Sequence, residues 1–532
     1  MLLMTLPLAG VAASGAQAQT YTGANAYTLP TWHSPYVVEP ILSSGDTVPR
    51  TSNGAQLYQM VGIPDGIGVD VTTATTATVY LNHELTNTAL SRPIPGADRV
   101  KGAFVSAIRI DRRHRAVLTA DIAFANVYQD ATLVGPTATE GNSTAPFSRF
   151  CSGSMAGARE GFDTAIYLTG EESNTGAFNV KGGQVVAVHG GNAVALSDFG
   201  FYEKENALVM PRVDVGSYAG KTVAIVTEDG PAVPPYSGVF MYVGTKVPGA
   251  ADPLTRNGLR GGSLYFLRSL NEDIASEPDF SFEGTCIPCE WVKAVNARNL
   301  DAGQLKSFLV SNGFLGFSRP EDGTWSKTNR HEFYFVTTGG EGTVGDMTSR
   351  NKLGRGYRLT MNPTSPTGEA SLELIFNADA SRWADTPISP DNVDASSRYL
   401  MVNEDGHGLS RPVMNSRNRD GSIWQFDLWD ITAAPVRVAE LTAIGRDNKY
   451  ANPGTVTVNA PATGVQTLNA SSYAVTQRGI WETSGIVATD SAFGNGTFLF
   501  DVQAHSPTTA PGDNTVEDGQ LLILLPSPVG SN

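Results

Sequence analysis

The chain has 532 residues, of which 52 are Asp or Glu and 37 are Lys or Arg, so its formal net charge is −15 at pH 7. Binding to nucleic-acid phosphates requires clustered Lys and Arg, so this acidic balance excludes nucleic acid as a structural partner and favours cations. The length suits two to four domains or one large repeat architecture. With 56 Gly and 31 Pro, the composition predicts many turns and an all-β fold.

The first eighteen residues predict an export signal. They are short and apolar and end in Ala16-Gln17-Ala18, the small-x-small pattern that precedes signal cleavage. No Lys or Arg occurs before Arg50, so the usual basic start is missing, and a buried strand remains the alternative. No other segment approaches the roughly 18 to 20 apolar residues that span a bilayer. We expect 1–18 to be a signal peptide and the mature protein to reach the periplasm or the extracellular space.

From about residue 75 the sequence predicts a repeated hairpin. In each unit an apolar strand ends in Glu, a Gly-containing turn follows, and an aromatic strand comes next. The glutamates are Glu84, Glu171, Glu228, Glu321, Glu404 and Glu482. The partner strands are "FVSAIRID", "GQVVAVHG", "GVFMYVG", "HEFYFVTT", "SIWQFDLWD" and "TFLFDVQAH". The segment "DAGQLKSFLV", residues 301–310, predicts a helix.

The six units predict a six-bladed β-propeller with long inserted loops. Radial repetition of small sheets leaves only short edges and admits roughly 4 to 8 blades. The glutamates are 87, 57, 93, 83 and 78 residues apart, which exceeds the roughly 40 to 50 residues of compact propeller repeats. We therefore expect a single propeller domain over 19–532, with insertions at about 85–150 and 270–312.

If each glutamate lies at the same end of an equivalent strand, the six side chains can form a metal-binding site. They would then converge on the channel mouth, where like charges raise one another's pKa and metal ions compensate them. Two alternatives stay open. The acids before glycine could simply end strands and face water, or they could bind calcium that only stabilises the fold.

Arg319, in "SRPEDG", argues against a site that binds only cations. Its planar guanidinium can bond two oxygens of a phosphoryl group held against metals. The alternative is that Arg319 forms a salt bridge with the neighbouring acids.

Three cysteines cannot all pair within the chain. "CIPCEW" favours a local disulfide between Cys286 and Cys289 in an oxidising compartment. Cys151 is left over, and a lone thiol in an exported protein is either a small buried hydrophobe or a protected ligand.

Five motifs occur in a fixed order along the chain: "NHE" at 82–84, the Cys151 loop followed by "GEES", "TEDG" at 227–230, "SRPEDG", and "SPDN" at 389–392. Taken in this order, they resemble the PhoX-type alkaline phosphatases, a family of secreted six-bladed propellers. The resemblance runs from about residue 75 to 410, with a recognisable tail in "GIWETSGI" and "FDVQAH". The Cys151 loop lacks the tryptophans common in the family, the export signal lacks twin arginines, and "CIPCEW" has no counterpart.

The resemblance implies a pair of Fe³⁺ ions bridged by oxygen and flanked by Ca²⁺. Cys151, Glu228 and Glu321 match iron ligands. Glu84, Glu171 and Asp391 match calcium or shared sites, and Arg319 matches the arginine that clamps substrate phosphate. Residues expected to support the ligands are Asn82, His83, Asp229, Asp322, Glu404 and Asp405.

The implied function is that of a secreted metal-dependent hydrolase that acts as a monomer on small phosphomonoesters. Two alternatives remain. One is a phosphodiesterase or another phosphoester hydrolase on the same site, and the other is a non-catalytic, calcium-stabilised propeller that binds a partner.

Overall fold

A computed structural model describes most of the chain, and the predicted signal peptide at 1–18 lies outside its described residues. The described residues are 22, 26–31, 34–340, 351–406, 411–417, 419–441, 455–460, 464–469, 480–505 and 514–527. Of the helices in these ranges, none combines the length and the apolar character that a membrane crossing needs. Export and the monomeric state stay predictions.

The fold is all-β, as predicted, and the described residues form five larger sheets. Going from its inner to its outer edge, the first sheet consists of Pro64–Asp70, Thr76–His83, Phe104–Asp111 and Val117–Ile122. In the same direction, the second consists of Phe150–Ala156, Ile166–Glu171, Val185–His189, Gly191–Leu196, Phe124–Gln129 and Thr132–Pro136.

The third sheet has nine strands and an inner strand at both ends. Its order is Ala207–Val209, Lys221–Thr227, Val239–Thr245, Ser263–Ser269, Cys286–Lys293, Ala370–Asn377, Arg355–Thr360, Glu332–Thr337 and Pro320–Trp325. Cys286–Lys293 pairs with Ala370–Asn377 and so joins two antiparallel halves edge to edge.

The fourth and fifth sheets use strands from the N-terminal part of the chain. From the inner edge outward, the fourth consists of Pro390–Ala395, Tyr399–Glu404, Ser422–Asp427, Val436–Leu441 and Thr28–Pro30. The fifth consists of Ile480–Ala488, Phe498–His505, Asp518–Pro526 and Tyr36–Ser43. Adding an early strand to the last sheet ties the two ends of the ring together.

Short elements complete the described structure. Two-stranded pairs are Thr47–Pro49 with Leu57–Gln59, Leu90–Ser91 with Val100–Lys101, and Thr455–Ala460 with Gly464–Asn469. The α-helices are Pro253–Arg256, Ala302–Ser311, Pro412–Ser416 and Asp490–Phe493. The 3-10 helices are Ala158–Glu160, Ser197–Phe199, Gly216–Tyr218, Glu277–Asp279 and Ala297–Asn299.

The inner strands contact one another around a central channel, which gives the propeller architecture. In the described part of the chain they are Pro64–Asp70, Phe150–Ala156, Ala207–Val209, Pro320–Trp325, Pro390–Ala395 and Ile480–Ala488. The hydrophobic core lies between neighbouring sheets, as where Phe104 of the first sheet joins Phe150 and Tyr167 of the second. Because the third sheet runs through two of these units without a break, the blade count of six stays a prediction.

The six predicted partner strands pair as expected, but Glu321 and Glu482 lie near the start of the first strand of their hairpins and not at its end. The predicted helix at 301–310 is present as Ala302–Ser311, where Asp301 accepts a hydrogen bond from Gln304 N at 2.8 Å. Within the predicted insertion at about 85–150, Phe104–Asp111 and Val117–Ile122 belong to the first sheet. The domain boundaries stay a prediction.

The predicted disulfide between Cys286 and Cys289 is wrong, because both thiols are free. The two residues lie three apart in the strand Cys286–Lys293. Side chains alternate between the faces of a strand, so residues three apart point in opposite directions. Cys286 is accordingly exposed and Cys289 is buried.

This arrangement predicts an ordered thiol reactivity. In the native protein we expect a maleimide reagent to label Cys286 rapidly and to reach Cys289 and the buried Cys151 only after unfolding. Mass spectrometry of the labelled protein before and after denaturation checks this. Protection of Cys286 in the native state, or a mass two hydrogens low before reduction, would contradict the strand geometry.

Candidate active site

Four of the inner strands begin with the same irregularity. Their first residue pairs with the end of the second strand, and the register then shifts before the next pair. The first pairs are Pro64 with His83, Phe150 with Glu171, Pro320 with Thr337, and Pro390 with Glu404. Such a β-bulge re-aims the side chain of the extra residue. The residues that follow the first pairs are Asp65, Cys151, Glu321 and Asp391.

The backbone before each bulge also repeats. The residue before each first pair has a positive φ, with values of 50° at Ile63, 50° at Arg149, 57° at Arg319 and 49° at Ser389. Each of these carbonyls accepts a hydrogen bond from the first residue beyond the second strand. The donors are Glu84 N at 2.9 Å, Glu172 N at 2.9 Å, Thr338 N at 3.0 Å and Asp405 N at 2.8 Å. Left-handed backbone at non-glycine residues is strained, and its fourfold repetition at one channel mouth indicates a functional site.

Side chains from these positions line one cavity of about 700 Å³ at the mouth of the channel. Its ionisable lining from the inner strands is Asp65, Cys151, Glu321, Asp391 and Glu482. The segments that follow the second strands contribute Glu84, Glu172, Asp229 and Asp405. The cavity is therefore an acidic chamber shared by all parts of the ring.

Within the described residues, three overlapping groups bring ligand atoms to within 4.8 Å of one another. They are Asp65 with Glu84 and Cys151, Cys151 with Glu172 and Glu205, and Glu205 with Glu321 and Asp391. Since Cys151 and Glu205 each belong to two groups, the three form one continuous cluster.

The structure thus brings together four of the six predicted metal ligands, Glu84, Cys151, Glu321 and Asp391. It places the other two, Glu171 and Glu228, outside the cavity and outside the three groups, and their roles as metal ligands stay predictions. The Glu171 carboxylate accepts hydrogen bonds from Phe178 N at 2.6 Å and Ser148 N at 3.0 Å.

Glu228 is held by Gly238 N at 2.7 Å and by Lys306 Nζ at 2.9 Å. Glu404 has a similar environment, because Ile388 N donates to it at 2.6 Å and Arg419 at 2.7 Å. In these three pairs of adjacent acids, backbone N–H groups donate to the first carboxylate, and in two of them Lys306 or Arg419 donates as well. The second acid then faces the cavity, which places Glu172, Asp229 and Asp405 there.

Among the predicted supporting residues, Asn82 contacts the cluster through the backbone. Its side-chain amide donates to the Cys151 carbonyl at 2.5 Å, while Tyr167 donates to its oxygen at 2.9 Å. His83 turns away and contacts Gly62 O at 3.0 Å and Ser106 at 2.7 Å, and burial lowers its pKa to about 4.

Asp322 does not line this cavity, and Asn206 donates to its carboxylate at 2.6 Å. Asp405 does line it and pairs with Arg411. The ionisable residues of the site that sequence reasoning missed include Asp65, Arg149, Glu172 and Glu205, whereas Glu482 was among the six predicted glutamates and lines the cavity. One signal was available, because "IPDG" at 63–66 repeats the Pro-acid order of "RPEDG" and "SPDN".

Arg319 lies in the cavity and is tightly held by acids. Its Nε and Nη2 donate hydrogen bonds to the two carboxylate oxygens of Asp229 at 2.8 and 2.9 Å, a bidentate arrangement. Nη2 also lies 3.1 Å from Glu321, and Nη1 lies 3.6 Å from Asp405. The predicted salt bridge with neighbouring acids is therefore present.

Burial and mutual repulsion raise the pKa values of the acids in the cluster. Burial, reinforced by Asp229, raises the pKa of Glu205 to about 7. Burial and then Glu321 raise the pKa of Asp391 well above its usual value, and burial with Asp65 does the same to the pKa of the Cys151 thiol. A group of acids this close needs a compensating positive charge to be ionised together.

The cluster fits a metal ion. Glu205 is fully buried, and its Oε1 accepts a hydrogen bond from Ser152. No described residue donates a well-formed hydrogen bond to the buried Glu205 Oε2, which belongs to the carboxylate that two of the groups share. A buried carboxylate oxygen without a donor is costly unless a cation satisfies it.

This electrostatic arrangement predicts how metal-free protein responds to pH. Glu205 and Glu482 have pKa values of about 7, raised first by burial, so the folded state holds protons that the unfolded state has already released. Stability therefore falls as pH rises from about 4.5 to 7. We expect the chelated protein to melt at a lower temperature at pH 8 than at pH 5.5.

Metal should raise the melting temperature most at pH 8, because ligands bind metal in their deprotonated form. Thermal melts with chelator and with added metal at both pH values check this. An equal metal-induced shift at the two pH values would contradict titration of the cluster.

Among solved structures, the chain is similar to PhoX from Pseudomonas fluorescens in complex with vanadate, a transition state analogue. That similarity covers 95% of this chain and 98% of that one, with a TM-score of 0.59 and 13% identity. The predicted resemblance to PhoX is thereby confirmed at the level of the fold.

Two other solved structures are more distant. A thermostable family-43 glycoside hydrolase has a TM-score of 0.32 and 8% identity over 71% of this chain and 93% of its own. A luciferin-regenerating enzyme has a TM-score of 0.31 and 11% identity over 92% of this chain and 95% of its own. No protein-family model matches the sequence, and no curated protein matches it.

Proposed function

We propose that the protein is a metal-dependent hydrolase that releases phosphate from phosphomonoesters. The observation that carries the proposal is the continuous cluster formed by the three groups of ligand atoms within 4.8 Å, in a cavity that also contains Arg319. Vanadate bound to PhoX, whose fold this chain shares, supports the choice of phosphate chemistry.

The donor set favours Ca²⁺ and Fe³⁺ as the metals. Six carboxylates, from Asp65, Glu84, Glu172, Glu205, Glu321 and Asp391, offer hard oxygen ligands, and Cys151 offers one softer thiolate. Carboxylate oxygens suit both ions, whereas a thiolate suits iron and not calcium. When bound, such metals supply Lewis-acid polarisation of the phosphoryl oxygens.

The chain's own residues bind and orient the substrate. Arg319 clamps the phosphoryl group and offsets its negative charge, while Asp229 and Glu321 hold the guanidinium in place. The β-bulges fix the four inner-strand ligands on rigid elements, which preorganises the site. Asn82 restrains the backbone of the Cys151 ligand through its hydrogen bond to the Cys151 carbonyl.

Hydrolysis of 4-nitrophenyl phosphate tests the proposal. We expect turnover by protein loaded with iron and calcium, loss of turnover on chelation, and recovery when both metals return. Faster turnover of bis(4-nitrophenyl) phosphate would favour the phosphodiesterase alternative. Bound calcium without turnover of either ester would favour the non-catalytic alternative.

A further inference from the structure

A second arginine, Arg149, occupies in the second sheet the position that Arg319 occupies in the third. Arg149 precedes the first pair of its inner strand just as Arg319 does, with φ values of 50° and 57°. Both carbonyls accept a hydrogen bond from the residue that follows the second strand. Ile63 and Ser389 occupy the same position in two other sheets, so the repeated backbone does not itself require arginine.

The two arginines differ in which of their guanidinium N–H groups already have a hydrogen-bond partner. Asp229 takes both Nε and Nη2 of Arg319, and the Arg319 side chain is 22% exposed. Arg149 has a single ion pair among the described residues, from Nη1 to Glu172 at 3.1 Å, and its side chain is 37% exposed. Nε and Nη2 of Arg149 are therefore available, while those of Arg319 are not.

The surroundings of Arg149 place it over the cluster. It lines the same cavity as Arg319 and stands two residues before Cys151. Burial alone would lower its pKa, yet the charges of Glu172, Glu84, Cys151 and Asp229 raise it. Its charge thus lies beside Glu84, Cys151 and Glu172 of the metal cluster, which the first and second sheets contribute.

We propose that Arg149 contacts the phosphoryl oxygens of the substrate through Nε and Nη2, as a second arginine of the site beside Arg319. This inference rests on the proposed function and names a further substrate-contacting residue of that site. A planar guanidinium with two neighbouring free donors matches two phosphoryl oxygens at once.

Binding of inorganic phosphate to metal-loaded protein, measured by calorimetry, tests this inference apart from turnover. We expect Arg149→Ala to weaken phosphate binding by about 10- to 100-fold, the range for a hydrogen-bonded charged partner, with unchanged metal content. Arg149→Lys should recover only part of the affinity, because an ammonium lacks the paired, planar N–H donors that bind two oxygens at once.

Arg99→Ala is the matched control, because Arg99 also borders the cavity but its guanidinium is engaged by Glu140 at 2.8 and 3.0 Å. We expect its phosphate affinity to match that of the wild type. The inference is overturned if Arg149→Ala binds phosphate normally, if Arg99→Ala loses as much affinity, or if Arg149→Ala loses metal. Arg149-dependent phosphate binding without ester hydrolysis would sustain the inference and overturn the proposed phosphatase activity.

Discussion

Replacing Glu321 with alanine is expected to remove bound metal and to lower kcat/KM by more than about 100-fold. Glu321 lies in a bulge of the ring, shares a group with Glu205 and Asp391, and is almost fully buried. Substituting residues that only support metal ligands costs about 10- to 100-fold in metal affinity or activity, so a direct ligand should cost more. Elemental analysis and steady-state kinetics on 4-nitrophenyl phosphate check this together.

Glu228→Gln is the matched control for Glu321→Ala. The resemblance to PhoX makes both residues iron ligands, but Glu228 lies outside the cavity and is held by Gly238 N and Lys306. We expect Glu228→Gln to keep its metal and most of its activity while it melts at a lower temperature. Loss of metal from Glu228→Gln to the extent seen in Glu321→Ala would contradict the placement of the two acids.

Replacing Arg319 with alanine is expected to reduce both stability and turnover. The change leaves Asp229, Glu321 and Asp405 without the guanidinium that contacts all three. Removing one partner of a buried ion pair destabilises by about 3 to 5 kcal/mol. Losing one preorganised hydrogen-bond donor in an active site lowers kcat by about 10²- to 10³-fold.

Chemical denaturation and kinetics on Arg319→Ala measure the two effects separately. Arg319→Lys is the control, because it retains the charge but cannot bind Asp229 in a bidentate manner, so we expect partial recovery of stability. A variant Arg319→Ala with wild-type stability and turnover would show that the acidic wall does not need its guanidinium.

The sequence predicted the hairpins well because alternation and turn residues are local signals. It misjudged how the six glutamates relate to one another. Glu84, Glu171, Glu228 and Glu404 lie at or just beyond the ends of second strands. Glu321 and Glu482 instead lie near the starts of inner strands, so the apparent period combined two different positions of the ring.

The choice between adjacent acids could not be made from sequence. Glu171 is the last paired residue of its strand, opposite Phe150, and backbone N–H groups take its carboxylate. Glu172 lies one residue beyond the ladder, and its backbone bonds to the left-handed Arg149. The bulge and the positive φ depend on pairing between distant segments, so no local pattern in either segment specifies them.

The central claim is that the acids and Cys151 at the channel mouth form a metal centre. Anomalous diffraction from crystals of protein loaded with iron and calcium tests it most directly. We expect metal peaks bonded to Glu205, with Cys151 on one side and Glu321 or Asp391 on the other, and a further peak beside Asp65 and Glu84. Peaks confined to sites outside the cavity, or metal bound at Glu171 and Glu228 in place of Glu172 and Glu205, would contradict the account.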